Sequence, residues 1–242
     1  FSIINPHAYI QSNVVGFMNL LECCKEYNID SLIYASSSSV YGGNKDLPFS
    51  EQQKIDNPIS IYAATKASNE LMAKAYNNLY NLKSTGLRFF TVYGPWGRPD
   101  MALFLFTKAM MSNTPIKIFN NGQMTRDFTY IDDIVEGIAR VSKKPPSKNL
   151  NFNFESNIPD KSWAPYHIFN IGNSNPTPLM KFIKELENAL GIQAIKEFLP
   201  MQPGDVASTA SNTESLENWV GFKPNTSIEE GISKFVSWYR DF

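Results

Sequence analysis

Two stretches of this 242-residue chain carry groups that together can move a proton. One is Tyr34-Ala35-Ser36-Ser37-Ser38-Ser39-Val40-Tyr41-Gly42, an apolar run ending in a row of hydroxyls; the other is Tyr62-Ala63-Ala64-Thr65-Lys66. Tyr62 and Lys66 stand four apart, so on a helix they share a face, and an ammonium beside a phenol favours the phenolate. That lowers a phenol pKa of about 10 toward working pH and makes Tyr62 a candidate base. A serine hydroxyl from the strand end can share the substrate proton with it. The chemistry is proton transfer at a sugar or steroid alcohol while a cofactor takes the hydride. By itself Y-x-x-x-K more often marks an exposed tyrosine above an exposed lysine, and a serine run more often marks a loop. Their conjunction, at the carboxyl end of an apolar strand and the opening of the next helix, is where an open α/β sheet carries its site.

The elements that must hold these groups follow from pattern. Residues 32–35 read as a strand, 42–58 as a polar loop, 61–82 as a helix and 85–90 as another strand, a rhythm that implies parallel pairing with right-handed crossovers. Upstream, Asn5-Pro6 opens a helix reaching residue 27, apolar round much of its surface and therefore sandwiched between layers or subunits. His7 reads as a helix-start residue touching a neighbouring loop. Residues 91–99 break the rhythm with glycines, prolines and Arg98, as a site loop does. A helix at 102–111, a strand at 116–119, a turn at Asn120-Asn121-Gly122 and a helix at 134–141 come next. Residues 143–165, rich in prolines, asparagines and serines, read as a surface insertion. A strand at 166–171 ends at Gly172. Thr177 and Pro178 predict the cap and first turn of a helix closed by Gly191, Gln202-Pro203-Gly204-Asp205 predicts a turn, and Ser227 with Glu230 predicts a capping box.

A hydrophobic fraction of 43% with 13% aromatics predicts a substantial core. With 22 basic against 23 acidic residues the net charge is −1, so there is no electrostatic footprint for nucleic acid or an acidic membrane. Negative charge on a ligand must be met by individual arginines. Cys23 and Cys24 are neighbours that point to different sides of a helix, which gives neither a disulfide framework nor a metal site, and a reducing, cytoplasmic compartment fits. No apolar run approaches the roughly 18 residues a membrane span needs. No G-x-G-x-x-G follows a strand, so either the protein binds no dinucleotide or the segment that does so lies before Phe1.

The motifs nonetheless resemble those of the extended short-chain dehydrogenase/reductases, and among them the nucleotide-sugar 4-epimerases acting on UDP-glucuronate or UDP-galacturonate. The resemblance runs through Asn5-Pro6-His7-Ala8-Tyr9, Ser36 to Gly42, Tyr62 to Lys66, Arg88-Phe89-Phe90-Thr91-Val92-Tyr93-Gly94-Pro95, Arg98-Pro99-Asp100-Met101-Ala102, Arg126-Asp127-Phe128-Thr129-Tyr130 and Pro203-Gly204-Asp205-Val206. It implies an α/β fold, a Rossmann-type doubly wound parallel sheet with its N-terminal part absent from this chain, joined to a smaller α/β substrate-binding domain. Residues 1–96 and 129–173 are then the remainder of the NAD-binding domain, and 97–128 and 174–242 the nucleotide-sugar domain. The family begins roughly ninety residues earlier with the glycine-rich loop, so the chain looks like a fragment whose parent holds NAD tightly.

Carried over residue by residue, Tyr62 resembles the base, Lys66 the residue that binds the nicotinamide ribose and lowers the tyrosine pKa, and Ser37 the catalytic serine. Ser36, Tyr93 and Pro95 fall among the cofactor contacts. Ser38, Ser39, Thr91, Arg98, Arg126 and Asp205 fall on the substrate side: Ser38 and Ser39 line the sugar pocket, Arg126 meets the UDP phosphates, and Asp205 lies in the loop closing over the uridine. The implied reaction is NAD-dependent 4-epimerisation of a UDP-sugar through a 4-keto intermediate, which from a uronic acid is a β-keto acid prone to lose carbon dioxide. Arg98 and Thr91 are the candidates to hold its carboxylate. Sugar 4,6-dehydratases resemble this chain except for an Asp-Glu pair at the positions of Ser38 and Ser39, and decarboxylating relatives commonly carry glutamate at the second, so epimerisation without elimination is expected. Other UDP-hexose or UDP-N-acetylhexosamine epimerases, a UDP-glucuronate decarboxylase, a non-catalytic nucleotide-sugar binder and an incomplete chain that folds poorly alone stay open. A homodimer through a helix bundle and a role in polysaccharide precursor synthesis are also implied.

Overall fold

The computed structural model describes residues 2–156, 159–202 and 204–241. The chain opens with helix α1, Pro6–Tyr9, a π-helical segment Ile10–Val15, and α2, Gly16–Glu26. Strand β1, Ser31–Ser37, is followed by α3, Ile61–Tyr80, β2, Lys83–Phe89, and β3, Thr91–Tyr93. Next come α4, Ala102–Met111, β4, Ile116–Ile118, β5, Thr125–Tyr130, and α5, Ile131–Ser142. The last elements are β6, Tyr166–Ile171, β7, Pro176–Pro178, α6, Leu179–Leu190, β8, Lys196–Phe198, α7, Glu214–Val220, and α8, Ile228–Asp241.

Among the described residues the strands form three small sheets. The first, in order β1-β2-β6, is parallel throughout, and its register sets Ser37 beside Phe89 and Phe89 beside Ile171. The central β2 is buried along nearly its whole length, as the middle strand of a covered parallel sheet is, although Ser84, Thr85 and Arg88 on it are polar. Gly86 sits in it because a Cβ there would meet Ile168 at 2.5 Å and the Tyr34 ring at 2.7 Å. A second sheet pairs β3 with β5 in parallel and β5 with β7 antiparallel, and a third pairs β4 with β8. Two main cores result. One joins Leu87, Ile134, Phe169, Ile171 and Leu216 under the first sheet. The other collects Tyr93, Phe106, Ile118, Phe128, Phe182 and Phe235 around the second and third.

Several elements differ from the sequence reading. The long first helix is interrupted at Ile10–Val15, where the Asn13 carbonyl is taken by the Asn69 side chain at 2.6 Å. Thr177 does not cap α6: it lies in β7, its hydroxyl donates to the Asn175 carbonyl at 3.2 Å, and Pro178 precedes a helix with no side-chain cap. The far end of the 143–165 stretch is no surface insertion, since Asp160, Ser162 and Ala164 are buried and the Pro165 carbonyl accepts from the Ser84 N–H and the Asn77 side chain. Asn77 is itself on the buried face of α3, so this segment closes the lower end of the first sheet. The Ser227 hydroxyl does accept from the Glu230 N–H at 3.2 Å, while the Glu230 carboxylate pairs forward with Lys234. Pro203, in the expected turn, lies outside the described residues; beside it the Asp205 N–H donates to the Gln202 carbonyl at 3.3 Å.

Candidate active site

β1 ends in extended backbone at Ser37, and the chain tightens at once into a 3-10 turn, Ser38–Tyr41. The Ser37 hydroxyl accepts from the Ser39 N–H at 3.1 Å, which caps the turn and holds the side chain at the strand's carboxyl end. α3 begins behind Ser60, whose hydroxyl accepts from the Ala63 N–H at 3.1 Å. Tyr62 and Lys66 therefore lie on its first two turns, both half-buried. Lys66 Nζ donates to the Ala35 carbonyl at 3.0 Å, laying the ammonium against the end of β1, and burial lowers its pKa. The Tyr62 ring meets the edge of Tyr9 at 5.9 Å. The Lys66 contact thus brings the face of α3 that carries Tyr62 to the strand end that carries the serines.

The parallel register carries the same edge across to β2, so Thr91 lies two residues beyond the partner of Ser37. The loop that follows needs unusual backbone. Gly94 adopts φ 140°, and a Cβ on it would strike the Ile131 side chain at 2.5 Å. Trp96, 76% exposed as a residue, stands at φ 58° with its ring packed on Trp238 at 5.2 Å. Arg98 follows two residues later on the same loop. Its Nε donates to Asp100 Oδ1 at 3.1 Å and its Nη2 to Oδ2 at 2.5 Å. The hydrogen bond from Arg98 holds the Asp100 carboxyl below its ordinary pKa.

A cleft of about 740 Å³ opens beside this loop, lined by Thr91, Asp100, Met101, Phe119, Arg126 and Asp205 among others. A small pocket of about 40 Å³ shares its Thr91 and Met101 and adds Arg98. Arg126 projects from β5, with Nη1 donating to the carbonyls of Thr125 and Ala207 at 3.0 and 3.1 Å and Nη2 to Asp205 Oδ1 at 2.8 Å. Burial lowers the Arg126 pKa and Asp205 opposes that shift. Phe119 is a wall of the cleft, whereas Ser37, Tyr62 and Lys66 lie outside its lining.

Two of the expected cofactor contacts are committed elsewhere. Ser36 is buried and gives its hydroxyl to Glu70 Oε1 at 2.5 Å, so what it can offer a cofactor is backbone. Tyr93 is 6% exposed in the core with Phe128, Tyr130 and Phe182, lines the small pocket beside Arg98, and donates its hydroxyl to the Ser227 carbonyl at 3.3 Å. Pro95 is half-buried on the loop. Ser38 and Ser39 are half-buried at the turn, open enough to meet a ligand.

Beneath the site lies a buried polar network that the sequence reading missed. Arg88 is fully buried and grips Glu70 with Nε at 2.9 Å and Nη2 at 2.8 Å, while Nη1 donates to the Tyr41 hydroxyl at 3.0 Å. The Tyr41 hydroxyl in turn donates a hydrogen bond to Asn170 Oδ1 at 2.6 Å. Glu70 is one turn beyond Lys66, on the same face of α3, so the same four-residue spacing would have pointed to it. A second missed group, Asp127, accepts from the N–H groups of Asn173, Ser174 and Ser211 and from the Ser211 hydroxyl, tying β5 to the loop after β6.

The family model described as NAD dependent epimerase/dehydratase matches residues 1–172. Protein CapI of Staphylococcus aureus is 56% identical over all of this chain and 72% of its own length. A probable UDP-glucuronate 4-epimerase of Rhizobium meliloti is 48% identical over 99% of this chain and 70% of its own. Among solved structures, UDP-glucuronic acid 4-epimerase from Bacillus cereus, in complex with UDP-glucuronic acid and NAD, superposes with a TM-score of 0.82 at 31% identity, covering 96% of this chain and 68% of that one. With a serine-ended strand, a tyrosine–lysine helix face and these matches over most of its length, the chain belongs to the NAD dependent epimerase/dehydratase family.

Proposed function

We propose that this chain carries the proton-transfer and substrate-holding groups of an NAD-dependent isomerase that interconverts UDP-glucuronate and UDP-galacturonate through a transient 4-keto sugar. The observation that carries this reading is the Lys66 ammonium on the Ala35 carbonyl, which brings the helix face of Tyr62 and Lys66 to the strand end of Ser37, with Arg126 lining the cleft beside the loop that follows β3. Relatives bearing that activity in their names support it.

Tyr62 takes the proton of the C4 hydroxyl, and Ser37 shares it across the strand end. The Lys66 ammonium, anchored to the Ala35 carbonyl, offers donors to ribose hydroxyls. The hydroxyl and ammonium donors of these three residues fit the ribose end of NAD, which when bound supplies a hydride acceptor and returns the hydride. Arg98 and Thr91 hold the uronate carboxylate so that it stays in place while C4 is a ketone. Ser38 and Ser39 stand where an eliminating enzyme would need an acid and a base. Arg126 meets the diphosphate, exchanging its Asp205 partner for phosphate oxygens.

Residues 1–96 with 129–173 form the cofactor side and 97–128 with 174–242 the nucleotide-sugar side; the two main cores follow this division in most of their members, with Leu216 crossing into one and Tyr93 and Tyr130 into the other. Apolar side chains left exposed on α2 and α3, among them Met18, Leu20, Leu71 and Leu79, support a homodimer through a helix bundle. No helix among the described residues is long and apolar enough to cross a membrane, and a cytoplasmic enzyme is the reading we adopt.

The test is to purify the intact protein without added cofactor, incubate it with UDP-glucuronic acid and follow the sugar anomeric and H4 signals by NMR. Formation of UDP-galacturonic acid is expected. Formation of a UDP-pentose alone would make the protein a decarboxylase, and no turnover with NAD added would leave a nucleotide-sugar binder or an epimerase of a neutral or N-acetylated UDP-hexose.

A further inference from the structure

We infer that Asp100 is a positioning residue for substrate specificity: it clamps one edge of the Arg98 guanidinium so that the other edge is presented, in a fixed plane, to the carboxylate of the sugar. The inference rests on the reading of a UDP-uronate epimerase given above. It is carried by two features. The Asp100 carboxylate takes Nε and Nη2, the side-on edge of the guanidinium, and no hydrogen bond from Nη1 is found among the described residues. The end-on edge, Nη1 with the second hydrogen of Nη2, is therefore a complete bidentate donor site for a second carboxylate. The backbone builds the clamp in advance. The Met101 N–H donates to the Arg98 carbonyl at 3.1 Å, closing a four-residue turn with Pro99 at its second position, where a locked φ is favourable. That turn sets the Asp100 side chain beside the guanidinium two residues away.

The consequence is chemical. Both groups are largely exposed, so the pair contributes little to stability, and its role lies in orientation. A guanidinium fixed in plane fixes the plane of the carboxylate it binds end-on. In a 4-keto uronate the C5–C6 bond breaks most easily when it lies parallel to the carbonyl π system. Its electron pair then passes into the C4 carbonyl as an enolate, carbon dioxide leaves and C5 takes a proton. Holding the carboxylate still blocks that alignment. Asp100 also sets a negative charge near the incoming carboxylate, so it gives up some affinity for accurate retention of carbon.

The two effects separate in one experiment on the intact protein with its bound cofactor. Asp100→Asn and Asp100→Ala are compared with the parent for KM, kcat and the ratio of UDP-pentose to epimerised uronate, with UDP-glucose as a neutral control. The expected result is a decarboxylated fraction raised about tenfold in Asp100→Ala and less in Asp100→Asn, whose amide oxygen still accepts one bond. KM for the uronate is unchanged or lower in both, and any activity on UDP-glucose is unaltered. A parent enzyme that epimerises the uronate but whose variants decarboxylate no more than it does overturns the role of Asp100 alone. A variant whose KM rises without change in the product ratio also overturns it, by making Asp100 a simple binding contact. A parent that does not turn over the uronate overturns the underlying reading and this inference with it.

Discussion

Glu70 is the counter-ion on which the buried Arg88 depends, and Glu70→Gln tests that dependence with little change of shape. Arg88 has no exposed surface, and Glu70 receives two of its N–H groups together with the Ser36 hydroxyl. The amide keeps one acceptor but turns N–H against a guanidinium N–H, leaving a cation buried without its charge partner. Removing one partner of a buried pair costs about 3–5 kcal/mol, whereas replacing both by apolar groups of similar volume is close to neutral. At roughly 2–4 °C per kcal/mol for a chain of this size, Glu70→Gln lowers Tm by about 6–20 °C. The double variant Glu70→Leu with Arg88→Met recovers most of that loss. Thermal and urea melts of the parent, the two singles and the double close the cycle. A Glu70→Gln variant within about 1 kcal/mol of the parent, or a double variant no better than the worse single, would refute the account. Because Glu70 lies one turn past Lys66, the same variant also lowers kcat wherever it remains folded.

Tyr62→Phe keeps the ring against Tyr9 but removes the phenol, and kcat is expected to fall by about 10²–10⁴ while UDP-sugar affinity by calorimetry is retained; unchanged turnover would exclude Tyr62 as the base. His167 lies between Phe169 and Trp219 with Nδ1 unpaired, and burial lowers its pKa to about 4. Since its pKa is about 6.5 in the unfolded chain, the neutral form contributes stability that is full above pH 6.5 and is lost as pH falls toward 4, up to about 3 kcal/mol. His167→Phe therefore flattens the fall of Tm over that window, and an equally steep fall would count against it. Gly231→Ala gains about 1 kcal/mol of helix propensity on paper, yet its Cβ would sit 2.0 Å from the Tyr93 hydroxyl, so a net destabilisation of about 1–3 kcal/mol is expected in a urea melt.

The sequence made the first sheet, its serine-rich end and the shared helix face of Tyr62 and Lys66 legible because their signals are local. An apolar run, a serine cluster and a four-residue spacing survive without knowledge of any distant residue. What it hid were decisions taken between distant residues. Tyr93 reads as a loop residue beside glycine and proline, yet β3 pairs with β5 and turns that ring into the core. Ser36 reads as one more hydroxyl in a row, but Glu70, thirty-four residues on, claims its proton. The π-helical stretch at Ile10–Val15 has no sequence marker, and the Asn69 side chain that takes the Asn13 carbonyl lies fifty-six residues away. Thr177 looked like a cap because a proline follows, and β7 pairing with β5 overrode it. Arg98, Arg126 and Asp205 were visible as charged residues in turn-rich stretches. Their pairing with Asp100 and with each other was not, since periodicity says nothing about which acid a given arginine meets.

Trp96 gives the protein a light of its own. Its indole is mostly in water, two residues from Arg98, on backbone already held at positive φ, and it leans on Trp238 of α8. An indole in water emits to the red of a buried one, and energy can pass between rings 5.2 Å apart. Whatever settles the Arg98 loop changes both the solvent around Trp96 and its coupling to Trp238. Occupancy of the site should thus be readable as a shift in intrinsic emission, without label or coupled enzyme, and a Trp96→Phe variant would go dark to that signal while Trp163 and Trp219 continue to report on the rest of the fold.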